Sequence, residues 1–447
     1  MKKLTLMLVL AFIFVACNTA IEPNLETNIA PISEAEQNAE NNHSFYSDNW
    51  LDIDDIFYSD NWFDIDDILY DIDFLVQTLE ENFPFMGVVE RTTGIDEPLN
   101  KFRDTLALRI HSRLGSPQFG ERIGSYFGQL IAYYFQNIFF SNIAHLDINP
   151  QYRFQLTYLP LWSSGFNPQI DSQPTIIEEG KIAVIPVNPA FFNNAIILRE
   201  MSELQRFIAE IQGYEHVIID LTHIGGGFIG TVIETFILPN LSEPLYITEF
   251  AFITGGIFPK TIHSQVSHRV AQEHQITDRP NFFFITRDTV GSLVPATKFA
   301  EQHNLVNMNQ DDLQSLSYGF TVETLLQPTD LSSLEHINWS SRLPLLADNV
   351  WLLISPNNGS AGAIFANIAK EAGFTLVGEQ TSHSNSGGRA FFELPRTGHI
   401  ISMDTFYITD NTGRNIEEFP PEPHYFNRPG MDALQTTLAI IAERAEN

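Results

Sequence analysis

Two turns in this chain combine residue types that acyl-transfer chemistry needs. In the first, the apolar run from Val217 to Leu221 passes through Thr222, His223 and Ile224 into Gly225, Gly226 and Gly227. Glycines after a strand expose backbone N–H groups, and such groups can stabilise an oxyanion. In the second, the run from Asn349 to Ile354 passes through Ser355, Pro356, Asn357, Asn358 and Gly359 to Ser360, and a helix of small residues follows from Ala361. At such a junction Ser360 presents an exposed hydroxyl where the helix dipole favours developing negative charge. Serine is equally a favoured helix N-cap, so this turn alone leaves both readings open.

Other chemistries fit less well. Gly225 to Gly230 satisfies Gly-x-Gly-x-x-Gly, and Glu249 follows about 20 residues on, as in a dinucleotide-binding fingerprint. Three residues separate the strand from Gly225, too many for that tight turn, and the half-domain would begin some 215 residues into the chain. No metal or other cofactor is expected. His263 and His268 lack a third ligand at useful spacing, and His-Glu-x-x-His does not occur. The single cysteine excludes an intramolecular disulfide framework and any multi-cysteine zinc site.

The elements that must position these turns follow from the hydrophobic pattern. Leu69, Ile72, Leu75, Val76 and Leu79 fall at helical spacing, and a further helix is expected from about Phe119 to Phe140. After residue 150 short β-branched runs take over: Lys181 to Val187, His216 to Leu221, Pro244 to Phe250 and Asn349 to Ile354. Helical stretches from Leu198 to Ile211 and from Ala361 to Ala372 separate some of them, and Phe391 to Tyr407 alternates as strands do. This alternation predicts an α/β domain. At 44% hydrophobic and 12% aromatic residues, the chain of 447 can bury a substantial core. Its formal charge of −31, from 24 Lys+Arg against 55 Asp+Glu, argues against nucleic acid and against adhesion to anionic lipid by charge.

The N-terminus reads as an export signal. Lys2 and Lys3 precede an apolar run from Leu4 to Val15, too short to span a bilayer, and Phe14 to Cys17 resembles a bacterial lipobox. Cys17 is then the lipidated first residue of an exported, membrane-tethered protein. The expected organisation is a signal peptide over 1–16, a tether over 17–66, a helical domain over 67–150 and an α/β catalytic domain over 151–447. The tether contains a near-exact tandem repeat of twelve residues, Phe45 to Ile56 and Phe57 to Ile68. Its acidic residues lack the central Gly and terminal Glu of a calcium loop.

Together the two turns resemble the tail-specific (C-terminal-processing) serine peptidases, a family that includes the tricorn core and the retinoid-binding-protein-like modules. The match runs from about Asp71 to the C-terminus. It rests on Asp220 to Gly227, on Ser360 to Phe365, on Leu376 to Thr381 with its Val-Gly-Glu-x-Thr, and on Ile416 to His424. The resemblance implies a ClpP/crotonase-like α/β core behind a helical domain. A PDZ domain is not expected, because only about 30 residues separate Pro150 from Lys181. Many relatives use a Ser–Lys dyad, but the matching position falls near Ser384 and no lysine follows Lys370. The tricorn-like branch draws a histidine from the helical domain, and His145 stands at that place; Glu417 matches the carboxylate that orients it. Implied roles are therefore nucleophile for Ser360, general base for His145, orienting acid for Glu417, and oxyanion donors at Gly225 or Gly226 with Ala361. The implied substrate is a peptide or unfolded protein.

Two alternatives remain. One is an inactive peptide- or lipid-binding module of the same fold. The other is a serine esterase in which Asn358 to Gly362 approximates Gly-x-Ser-x-Gly and Asp404 or Asp410 acts with His424.

Overall fold

The structure is a computed structural model that describes residues 64–113, 123–140, 143–149, 173–187, 197–225, 229–273, 287–328, 345, 349–382 and 387–446. Cys17, the signal peptide, the first repeat copy, Gly226, His383 and Ser384 lie outside the described residues. No helix among the described residues is long and apolar enough to cross a membrane.

The chain enters through four helices, α1 (Ile65–Asn82), α2 (Met86–Thr93), α3 (Pro98–Arg113) and α4 (Ile123–Asn137). Helix α1 starts within the second repeat copy. Asp64 caps it by accepting from the Asp67 N–H at 2.8 Å, and Ile68 is fully buried. The repeat's final residues are thus built into the first helix rather than into the tether. Phe102 packs against Phe135, Phe139 and Phe140, with ring centroids 5.2–5.8 Å apart.

These helices share one hydrophobic core with an antiparallel sheet, through Phe250, Phe252, Ile401 and Met403. That sheet is ordered β1 (Asp147–Asn149), β12 (Ile400–Thr409), β5 (Leu245–Ile253), β8 (Tyr318–Leu326) and β6 (Arg287–Val290), with β11 (Gly387–Glu393) on β12 and β7 (Val294–Pro295) on β8. The opposite side chains, Ala251, Ile253, Phe406 and Ile408, form a separate core on its other face, as period-two strands require. The run near Pro244 to Phe250, read from sequence as part of the α/β alternation, is therefore β5 of the antiparallel layer.

The second sheet is ordered β13 (Tyr425–Phe426), β10 (Thr375–Gly378), β9 (Asn349–Ile354), β4 (His216–Asp220), β3 (Ile182–Pro186) and β2 (Thr175–Glu178), parallel except for β2. Its central strands are apolar on both faces because helices cover both. Ala183, Ile185, Val217, Ile219, Leu352 and Ile354 face α5 (Ile197–Glu210) and α10 (Ala361–Glu371); between these in the chain come α6 (Gly230–Val232), α7 (Ile257–Glu273), α8 (Ala296–Gln302) and α9 (Gln310–Ser315). Ile182, Val184, Ile218, Trp351, Leu353 and Val377 face α11 (Ala433–Ala445). The result is an α/β core joined to an N-terminal helical region.

Candidate functional site

The adjacent parallel strands β4 and β9 end side by side, and each C-terminal end releases one of the two turns. This is where open α/β sheets place their ligands. At the end of β4, Asp220 Oδ1 accepts from the Thr222 N–H at 2.9 Å and the Thr222 hydroxyl at 2.6 Å, closing a tight turn. At the end of β9 the backbone turns sharply, and Ser360 takes φ 52°, ψ −125°. A side chain at such an angle costs about 1–3 kcal/mol and persists only where the surroundings enforce it. Ser360 precedes α10 but makes no side-chain cap hydrogen bond. The N-cap reading therefore fails, and its half-buried hydroxyl is left for another task.

Asn358 supplies the enforcement. Its side chain is fully buried. Nδ2 donates to the carbonyls of Leu221 at 2.6 Å and Ile224 at 2.8 Å, while Oδ1 accepts from the Ser355 N–H at 2.7 Å. The Gly359 N–H donates to the Gly225 carbonyl at 2.7 Å. A Cβ added at Gly362 would lie 3.2 Å and 3.3 Å from the carbonyl oxygens of Ile224 and Gly225. The glycine turn thus sits directly on the first turn of α10, made of small residues. The N–H groups of Gly225 and Ala361 donate to no backbone acceptor among the described residues outside regular elements. Asn358 is a positioning residue that sequence reasoning missed; the visible signal was an Asn–Gly pair just before Ser360.

The strand after α10 closes the same turn. Gly378 ends β10 at φ +139°, and a Cβ there would lie 1.9 Å from the Ile354 carbonyl oxygen, so only glycine fits. The Glu379 N–H donates to Ile354 at 3.2 Å and the Ser382 N–H to Asn358 at 3.0 Å.

His145 and Glu417 belong to the other layer. The 3₁₀ turn Ile143–His145 lies between α4 and β1, and Ile143, Ala144 and Leu146 are buried. Ala144 adopts a left-handed backbone, φ 53°, ψ 36°. Its N–H donates to Glu417 Oε1 at 2.7 Å. The fully buried Glu417 carboxylate therefore grips the residue next to His145, although 273 positions separate donor and acceptor. The turn bearing Glu417 is shaped by Asn415, whose Oδ1 accepts from the N–H groups of Glu417 at 3.1 Å and Glu418 at 3.0 Å. Glu418 points elsewhere, to Arg91. From sequence these adjacent acids were hard to tell apart; their partners separate them.

The two layers are joined close to both sets. Three residues after Glu417, the Pro420 carbonyl accepts from Gln380 Nε2 at 3.1 Å, and Gln380 lies two residues before Ser382, which bonds Asn358. The chain then runs through β13, and just after it the Asn427 N–H donates to the Gly378 carbonyl at 3.0 Å.

The groups of the esterase reading are engaged in other contacts. Asp404 accepts from Arg389 Nε at 3.2 Å, and Asp410 holds the turn at Thr412 and Arg414. His424 Nδ1 accepts from the Leu376 N–H at 2.9 Å. Burial, and then the Lys370 ammonium, push the pKa of its imidazole below the ordinary value. Among the described residues no group of three or more His, Cys, Asp or Glu could hold a metal ion.

No family model matches the chain, and no curated protein sequence matches it significantly. Solved structures do. Mature CPAF complexed with lactacystin superposes with a TM-score of 0.53 at 11% identity, over 85% of this chain and 97% of that one. Mature CPAF alone gives 0.50 at 11% identity, over 81% and 92%. A candidate peptidase from Parabacteroides merdae ATCC 43184 gives 0.47 at 13% identity, over 84% and 96%. The chain therefore shares the fold of mature CPAF, along nearly the whole length of the CPAF chains.

Proposed function

We propose that this protein is a serine peptidase acting on peptides or unfolded proteins. Ser360 is the nucleophile, His145 takes its proton, and Glu417 orients the histidine and stabilises the imidazolium that forms. The N–H groups of Gly225 or Gly226 and of Ala361 receive the oxyanion of the tetrahedral intermediate, which collapses to an acyl-enzyme that water then hydrolyses. The observation that carries this reading is the buried Glu417 carboxylate bonded to Ala144, beside His145. The strained, uncapped Ser360 at the mouth of the glycine turn supports it. A neutral imidazole is the natural base for a hydroxyl near neutral pH.

A fluorophosphonate probe tests the assignment. The wild-type protein should be labelled at Ser360 and should cleave an unfolded protein. Ser360→Ala should lose both, with turnover down on the order of 10⁴–10⁶-fold. Lactacystin, bound in the CPAF neighbour, should compete with the probe. Absence of labelling in the wild type would favour an inactive binding module.

Export and tethering through a lipid on Cys17 form part of the proposal, on the strength of the lipobox-like Phe14 to Cys17 alone. Cys17→Ser should move the protein from the membrane fraction to the soluble one. A mutant that stays with the membranes would refute it.

A further inference from the structure

Behind the Glu417 turn lies a polar cluster that the proposed chemistry does not use. Arg91 sits in the last turn of α2. Its Nε and Nη2 donate to Glu418 Oε1 and Oε2 at 2.9 Å and 2.8 Å, and its Nη1 and Nη2 to Asp312 Oδ1 and Oδ2 at 3.0 Å and 2.6 Å. Asp312 is 3% exposed and also accepts from the Tyr407 hydroxyl at 2.6 Å. Gly87, one helical turn before Arg91, lets α2 approach. A Cβ there would lie 2.0 Å from Asp312 Oδ1. One guanidinium thus fills two carboxylate forks, a geometry that lysine cannot reproduce. The hydrogen bonds that Arg91 donates to Glu418 and then to Asp312 raise its pKa above the ordinary value.

Arg91 and Ala144 belong to the same body. Val88 and Val89 on α2 share a hydrophobic core with Ile143 and Ala144. The Glu417 turn arrives from late in the sequence and, among the described residues, is fastened to that body at both of its adjacent acids. Glu417 holds Ala144, and its neighbour Glu418 holds Arg91. Asn415 shapes the turn and Pro420 ties its exit to Gln380, and the Glu418–Arg91 pair adds the hold that sets its register against the helical body. We infer that Arg91, through its forked pair with Glu418, positions the Glu417 carboxylate against the turn that carries His145. Arg91 is then a positioning residue for the peptidase reaction proposed above, on which this inference rests.

The experiment must separate positioning from mere attachment of α2. It follows the pH titration of the His145 ring by NMR in ¹³C-histidine-labelled full-length protein, assigned with His145→Asn. It also follows the rate of Ser360 labelling by a fluorophosphonate per folded molecule. The variants are Glu417→Gln, Glu418→Gln, Arg91→Lys and the double variant Glu417→Gln/Glu418→Gln. Glu418→Gln and Arg91→Lys should each lower the His145 pKa in the same direction as Glu417→Gln. They should slow labelling by up to about 10²-fold, the effect of a displacement near 1 Å. In the Glu417→Gln background Glu418→Gln should add nothing to either readout while still lowering the Tm. A fall in Tm with the titration and labelling unchanged, or fully additive losses, would overturn the inference. The two single variants attack the pair from opposite ends, so one that fails to fold leaves the other decisive. A wild-type protein that never labels overturns the peptidase reading instead, and the titration still decides the positioning role.

Discussion

The Ser360 end of the site and the Glu417–Ala144 end are built by different means. Ser360 is made by local sequence. A buried strand, a turn of Pro, Asn, Asn and Gly, and a helix of small residues follow within one continuous stretch, and Asn358 locks that stretch to the neighbouring turn. The acid and the histidine turn lie 273 positions apart in the chain and meet through the Glu417–Ala144 bond, with an arginine clamp on the neighbouring Glu418. An unusual backbone angle at the serine is set here by a strand–turn–helix junction, braced by the neighbouring glycine turn. An orienting acid needs a distance to another element, which only tertiary structure can set. The first half should therefore withstand loosening of the helical layer, and the second should not.

The largest effect on this contrast is expected at Glu417. Glu417→Gln keeps the size and one acceptor oxygen for the Ala144 N–H, so the fold should persist, but it removes the charge that stabilises an imidazolium. Turnover should fall about 10⁴-fold, as for orienting acids in other triads. The Tm should change far less. Turnover within tenfold of wild type would show that Glu417 serves only to hold the Ala144 turn.

Legibility followed the same division. The strands, the helix and the two turns that carry Ser360 and Gly225 could be read from sequence because their signals are local: apolar runs, turn residues and small-residue spacing. The limits of α10 and of β4 and β9 fell within a residue of expectation for that reason. The antiparallel layer was less legible. β5 and β8 pair across a long insertion, and nothing in Pro244 to Phe250 states which sheet it joins. Glu417 and Glu418 carry the same local signal, so only the resemblance favoured Glu417; in the structure their partners lie 273 and 327 positions away. Asn358 went unread because a turn Asn is common, and its two carbonyl partners lie on another strand's loop.

A smaller effect, confined to the Ser360 end, is expected at Asn358. Asn358→Ala takes from the Ile224 carbonyl and the Ser355 N–H their Asn358 partner in a buried place, and leaves the Leu221 carbonyl with the Ile224 N–H alone. Such groups cost about 1–3 kcal/mol each when left unsatisfied, with partial relief where water enters, so a net loss of roughly 3 kcal/mol is expected. Asn358→Asp should be worse, because it sets a carboxylate oxygen against two carbonyl oxygens. Both variants should slow fluorophosphonate labelling at Ser360 while leaving the His145 titration in place. A variant that unfolds at wild-type urea concentrations and labels at the wild-type rate would remove Asn358 from the account.

The smallest effect belongs to the helical layer away from the site, at Asp71. This buried carboxylate on α1 accepts from the Arg396 N–H at 3.0 Å, the Thr397 N–H at 2.7 Å and the Thr397 hydroxyl at 2.6 Å, fastening α1 to the turn between β11 and β12. Burial raises its pKa above the ordinary aspartate value, and outweighs the Thr397 and Arg396 hydrogen bonds that pull it down. The native state therefore binds the proton more tightly than the unfolded chain does. Between the ordinary and the raised value stability falls as pH rises. Asp71→Asn removes this dependence and keeps one acceptor oxygen, so it should cost about 1 kcal/mol near neutrality. The deficit relative to wild type should widen as the pH is lowered from about 7 to about 4, through the aspartate range. Urea unfolding of the two proteins across that range reads the difference directly, with the other carboxylates common to both. Labelling of Ser360 at neutral pH should be the same in the two. A deficit that stays flat with pH would mean that Asp71 titrates as an ordinary aspartate. A fall in labelling would mean that the helical layer constrains the Ser360 end after all, against the independence of the two halves.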